Sequence, residues 1–164
     1  MRKLAVFCVC VVSVFCLSFS TSSVAASDEE AVLQVIDNFS KAFNTFDSDL
    51  MASLWLNSPK TSSFGPQKSE AFLTEGGQTE ANHLKAFFEY LKSSGASYAV
   101  SPHHVQVTML GDNVAVVTSY STSTLTVSET GEQTVELDRG TFVFQKTGGK
   151  WLIVHCHVSG LPTE

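Results

Sequence analysis

The hydrophobic period of this chain changes once, at Gly95, and the change divides it into two kinds of structure. Before Gly95, apolar residues recur at spacings of three and four: Val32, Val35, Ile36, Phe39, Ala42, Phe43 and Phe46 form one such series. That spacing places a single apolar stripe on a helix. After Gly95 the period is two. The stretches "SYAVSPHHVQVTML", "NVAVVTSYSTSTLTV", "QTVELDRGTFVFQK" and "KWLIVHCHVS" are rich in Val, Thr, Tyr and Phe, and the turn signals "GDN", "SETGE" and "TGG" separate them. Four sequential antiparallel strands are expected. Helices first and a meander second give an α+β domain, with the helices against one face of the sheet.

The helix boundaries carry their own signals. Ser27 with Glu30 three residues on makes a capping box. Asp28, Glu29 and Glu30 fill the first turn, where the helix dipole favours anions. "FDSDLMASLW" reads as a short second helix started by Asp47 or Ser48, and a third is expected from about Thr79 to Ser94, ended by Gly95. Between them "LNSPKTSSFGPQKSEAFLTEGG" reads as a loop with one short strand. No internal repeat or low-complexity segment interrupts the pattern.

Residues 1–26 stand apart. A basic "MRK", an uncharged apolar run "LAVFCVCVVSVFCLSF" and the small residues of "SVAAS" are the three parts of a secretory signal, with cleavage expected after Ala26. The apolar run is shorter than the roughly 20 residues of a spanning helix. The expected organisation is therefore a signal peptide over residues 1–26 and one domain over 27–164, delivered to a secreted or periplasmic location. Cys8, Cys10 and Cys16 leave with the signal, so Cys156 has no partner for an internal disulfide. Losing Arg2 and Lys3 from the ten basic residues leaves eight against sixteen acidic ones, a formal net charge of about −8. No basic patch is visible for nucleic acid, and anionic membrane surfaces are disfavoured for the same reason.

The last strand holds the unusual chemistry. By strict alternation, Trp151, Ile153, His155, His157 and Ser159 share one face, and Leu152, Val154, Cys156 and Val158 share the other. Two histidines on one strand face resemble a metal-ligand pair, but a catalytic zinc needs a third ligand, and nothing in the sequence specifies His103 or His104 for that place. Cys156 lies in an apolar row, where cysteine behaves as a small hydrophobe. Acid–base work or polar ligand binding suits the histidines and Ser159 better. Against it stands a purely structural role, with one histidine hydrogen-bonded at a sheet interface and the other satisfied by backbone. Tyr120 lies on a strand that can pair near this one. Arg139, the only arginine after Arg2, can hold an anionic group. Trp55 and Trp151 suit core packing. No metal and no cofactor are expected.

The helix–helix–loop–helix–meander order resembles the nuclear transport factor 2-like superfamily. Within it, the chain is most similar to the SnoaL-like branch and to the association domain of calcium/calmodulin-dependent protein kinase II. The resemblance rests on the ending Gly149, Lys150, Trp151, then His155, His157, Ser159, Gly160 and Pro162, on the first helix "DEEAVLQVIDNFSKAFNTFD", and on the "FGP" of Phe64 to Pro66. It implies a cone of three helices on a curved antiparallel sheet around a pocket, with the sheet's outer face free for a homodimer or ring. In that cone His157 and Ser159 are expected to face the pocket with Tyr120 nearby, as the catalytic set. His155, Arg139 and Trp55 are expected to contact ligand. The implied function is binding of a small organic molecule, with isomerisation, dehydration or cyclisation as the chemistry. The ketosteroid isomerase pattern has no visible Tyr–Asp pair in the strands, Asp138 being the only aspartate of the third. Two alternatives stand beside it. One is an iota-class carbonic anhydrase, whose His-His-x-Ser-Ser-like ending is met here by "HCHVS" with Cys156 and Val158 at the differing places. The other is a non-catalytic oligomerisation module.

Overall fold

The computed structural model describes residues 26–65 and 73–161. Apart from Ala26, the expected signal peptide lies outside them, as do Pro66 and Pro162. The first helix, α1, spans Asp28–Thr45. Its capping box is closed in both directions: the Glu30 amide donates to Ser27 Oγ at 3.2 Å, and the Ser27 amide donates to Glu30 Oε2 at 2.7 Å. Phe46 ends it in the left-handed conformation, φ 52°. The second helix, α2, spans Ser48–Ser53 and is capped by Asp47, whose Oδ1 accepts from the Leu50 amide at 2.9 Å. The third, α3, spans Gly77–Ser93, two residues earlier at its start than the expected boundary.

The loop ahead of α3 holds two short strands rather than one: β1, Ser62–Phe64, and β2, Leu73–Glu75. After Gly95 come the four expected strands: β3 Ala96–Met109, β4 Val114–Val127, β5 Gln133–Thr147 and β6 Lys150–Gly160. The sheet order is β2-β1-β6-β5-β4-β3. The meander is antiparallel throughout, while β1 runs parallel to β6. The sheet is thus a four-stranded meander widened along the edge of β6 by a segment whose strands are too short to show a period.

The helices cover one face of the sheet. Phe88, Phe144, Met51, Ile153 and Val32 are fully buried between the layers. At the N-terminal end of α1, Asp28 Oδ1 accepts from Lys146 Nζ at 2.6 Å and from Trp151 Nε1 at 3.0 Å, which ties α1 to β5 and β6. Those two hydrogen bonds hold the Asp28 carboxyl below its ordinary range.

Two irregularities shape the sheet. On β6, His155 pairs with Val143 and Ile153 with Phe144, so Val154 is an extra residue. On β3, His103 pairs with Tyr120 and Gln106 with Thr118, with His104 at φ 51° inside the bulge. A bulge bends its strand and raises the local twist, and these two curve the sheet over the helices.

Candidate active site

The β6 bulge changes which residues meet the helices. Trp151 and Ile153 point inward and are buried, as alternation requires. Past Val154 the inward residues are Cys156 and Val158, while His155, His157 and Ser159 point outward. The expectation that His157 and Ser159 face the pocket is therefore corrected, because one extra residue turns the second half of the strand over. Cys156 does lie on the face opposite the histidines, as expected.

The outward residues form a row across the sheet. Tyr120 pairs with Arg139, and Arg139 with Ser159. Arg139 Nε donates to Ser159 Oγ at 3.1 Å. The His103 and His104 rings lie 6.1 and 6.0 Å from the Tyr120 ring. His155 Nδ1 sits 2.8 Å from Ser62 Oγ, and Phe64 lies edge-on to both His155 and His157. Burial first, then the neighbouring His157, lowers the His155 pKa. Five of the six residues singled out from the sequence for catalysis or ligand contact, His155, His157, Ser159, Tyr120 and Arg139, are thus on the open face of the sheet. His103 and His104 stand three strands from His155 and His157, roughly 14 Å at the usual strand spacing, so they cannot complete a metal site with them.

The cavity lies on the other face, between α1, α3 and the inner side of the sheet, with a volume of about 160 Å3. Of the six residues singled out, Trp55 alone lines it. It is held by bridge pairing to Ile153, and its Nε1 is buried with no hydrogen-bond partner among the described residues. Aromatic rings build the walls. Phe39 meets Phe142 edge-on at 5.2 Å, and Tyr98 packs between Phe43 and Phe87 at 5.8 and 6.0 Å.

The polar groups come from inward positions of the strands. Ser119, Ser121 and Ser123 alternate along β4, and Asp138 is inward on β5. Ser123 Oγ donates to Asp138 Oδ2 at 2.8 Å. Ser123 also lies against the Tyr98 side chain, so the serine stands between the phenol and the carboxylate. Burial, partly offset by the Ser123 contact, raises the Tyr98 pKa, and the charge of Asp138 raises it further. Asp138 is only 3% exposed, and its second oxygen, Oδ1, has no hydrogen-bond partner among the described residues. So a Tyr–Asp pair does exist in the strands, coupled through a serine. Sequence reasoning missed it because Tyr98 and Asp138 lie on β3 and β5, with β4 between them. A signal was available: three serines at every second place of "SYSTS" and its flanks interrupt the otherwise apolar inward row of Ala115 and Val117.

From α3, Glu80 and His83 complete the lining. Cys156 forms part of the floor. Its pKa is pushed far up by burial and then by the charge of Glu80, so it stays a protonated thiol.

A cone of helices and curved sheet, closed round an aromatic cavity with an acid pair on its sheet wall, defines a class of small pocket proteins. The SnoaL-like domain family matches residues 32–164, and the chain belongs to that family. No curated protein matches it. Among solved structures, one from Streptomyces avermitilis, a candidate dehydratase of the nuclear transport factor 2-like family, is 19% identical. It covers 83% of this chain and 97% of its own, with a TM-score of 0.70. A nuclear transport factor 2-like superfamily protein from Salmonella enterica is 20% identical over 82% of this chain and 92% of its own, TM-score 0.69. The hub homology domain of calcium/calmodulin-dependent protein kinase II from Chlamydomonas reinhardtii is 22% identical, over 83% of this chain and 100% of its own, TM-score 0.66. At these identities the likeness shows the fold.

Proposed function

We propose that this chain is an exported SnoaL-like pocket protein that binds a small organic molecule in the aromatic cavity and acts on it by proton transfer. The observation that carries the reading is Asp138: a buried carboxylate at the cavity wall with one oxygen fixed by Ser123 and the other without a partner among the described residues. An unpaired buried acceptor costs free energy until a donor reaches it. A ligand N–H or O–H supplies that donor, and Tyr98, linked through Ser123, supplies a proton on the same wall. Isomerisation, dehydration and cyclisation all need such a pair of proton-transferring groups.

Asp138→Asn keeps the shape and removes the basic oxygen. It is expected to lower ligand affinity or turnover at least about tenfold, with the melting temperature within a few degrees. Mass spectrometry of small molecules co-purifying with the native chain identifies the ligand. Unchanged occupancy in the variant would sink the assignment.

The carbonic anhydrase reading draws on His155, His157, Ser159 and Tyr120, which stand outside the cavity. A stopped-flow carbon dioxide hydration assay tests it directly.

Self-association through the outer sheet face belongs to the same proposal. Tyr120, Val135 and Leu137 are 46, 58 and 52% exposed there, in long Thr- and Ser-rich rows. Light scattering at micromolar concentration is expected to give a dimer or larger ring, and a monomer mass would contradict it. Export rests on the pattern of residues 1–26, and a mature N-terminus at Ser27 would support it.

A further inference from the structure

We propose that the ligand of the cavity is an organic cation, an amine carrying an aromatic or similarly flat apolar group, with Asp138 as its counter-ion. This rests on the pocket reading above and names the class of molecule that enters.

The first argument is charge. Two carboxylate side chains line the cavity, Asp138 at 3% and Glu80 at 6% exposure. Among the described residues no lysine or arginine lines it, and His83 is the one basic ring. A carboxylate, phosphate or bicarbonate ligand would be buried beside the Asp138 charge, and among the described residues neither lysine nor arginine stands there to receive it, an arrangement that costs both desolvation and repulsion. The chain as a whole carries a formal net charge of −6, so its long-range field draws cations and repels anions.

The second argument is the unsatisfied oxygen. Ser123 occupies Asp138 Oδ2, and among the described residues Oδ1 is left without a donor. A neutral hydroxyl would meet the hydrogen-bonding need and leave the charge uncompensated. An ammonium N–H meets both, through a charge-assisted bond roughly twice as strong as a neutral one.

The third argument is the wall. Phe39, Phe43, Phe87, Tyr98 and Phe142 surround the same space. Ring faces attract a desolvated cation and take a flat apolar group equally well. Trp55 adds one restriction. Its buried indole N–H can only donate and has no partner among the described residues, so the ligand presents an acceptor atom or a ring face on the side away from its nitrogen.

The test uses two matched sets of probes on the purified chain by isothermal titration calorimetry: benzylamine, benzyl alcohol and benzoate, and tryptamine, tryptophol and indoleacetate. Within at least one set the amine is expected to bind about tenfold or more tighter than the alcohol, with the carboxylate weakest. In Asp138→Asn the amine is expected to fall to the level of the alcohol, while alcohol binding stays within about threefold. That retained alcohol binding shows that the variant is folded with its cavity intact. An alcohol or carboxylate that binds as tightly as the amine, or an amine preference that survives Asp138→Asn, overturns the cation assignment and leaves the pocket reading standing. Failure of all six probes overturns both.

Discussion

His155 has an environment that favours its neutral ring. Part burial is the larger cause and His157 beside it the second, and together they set its pKa below the ordinary 6.5. The unfolded chain therefore takes up a proton more readily than the folded one. The stability gained from keeping the ring neutral is fully present above the ordinary value and is lost as pH falls through the lowered one. His155→Gln retains a hydrogen-bonding partner for Ser62 and removes the titration. Urea midpoints measured at about pH 7.5 and about pH 5.5 are expected to differ less in the variant than in the native chain. An equal difference would place the acid sensitivity elsewhere. The identity of His155 as an outlier was legible from the sequence, since an apolar strand has no packing reason to hold it. Its direction was not, because direction depends on the pairing of Val143 and Phe144 across β5, and no local pattern in "WLIVHCH" encodes that.

The elements show the same division between local and non-local information. The capping box of α1 and the four long strands follow from spacing and composition within a dozen residues, and they appear close to where the sequence puts them. β1 and β2 are three residues each. They are strands only because the edge of β6 is there to pair with, and a three-residue stretch has no period to read. The start of α3 depends on a contact of this kind. A Cβ at Gly77 would run into the backbone carbonyl oxygen of Leu56, so the first turn of α3 lies directly on the segment that follows α2. Helix propensity alone makes Gly77→Ala favourable by about 1 kcal/mol. The close approach reverses the sign: a loss of roughly 1–3 kcal/mol is expected by chemical denaturation. Because Glu80, His83 and Leu84 follow on the same helix and line the cavity, ligand affinity is expected to fall as well. A more stable Gly77→Ala protein would show that the helix shifts freely and does not frame the site.

At the scale of the whole molecule, the sheet has two faces with separate work. The inner face carries Phe142, Phe144 and the acid pair under the helices, and the outer face carries the Tyr120–Arg139–Ser159 row. The extra residue at Val154 gives β6 two reading frames: residues up to Ile153 are read in one, those from Cys156 onward in the other. Removing Val154 restores a single frame with Trp151, Ile153, Cys156 and Val158 still inward. Removing Leu152 or His157 turns part of the strand inside out, since a one-residue slip moves every following side chain to the other face. A deletion scan along β6 is expected to yield soluble, ligand-competent protein for the Val154 deletion and insoluble protein for the other two. If all three deletions behave alike, the strand has no frame to protect. If only Val154 can be lost, a change of chain length in this strand has one place to happen without rewriting either surface.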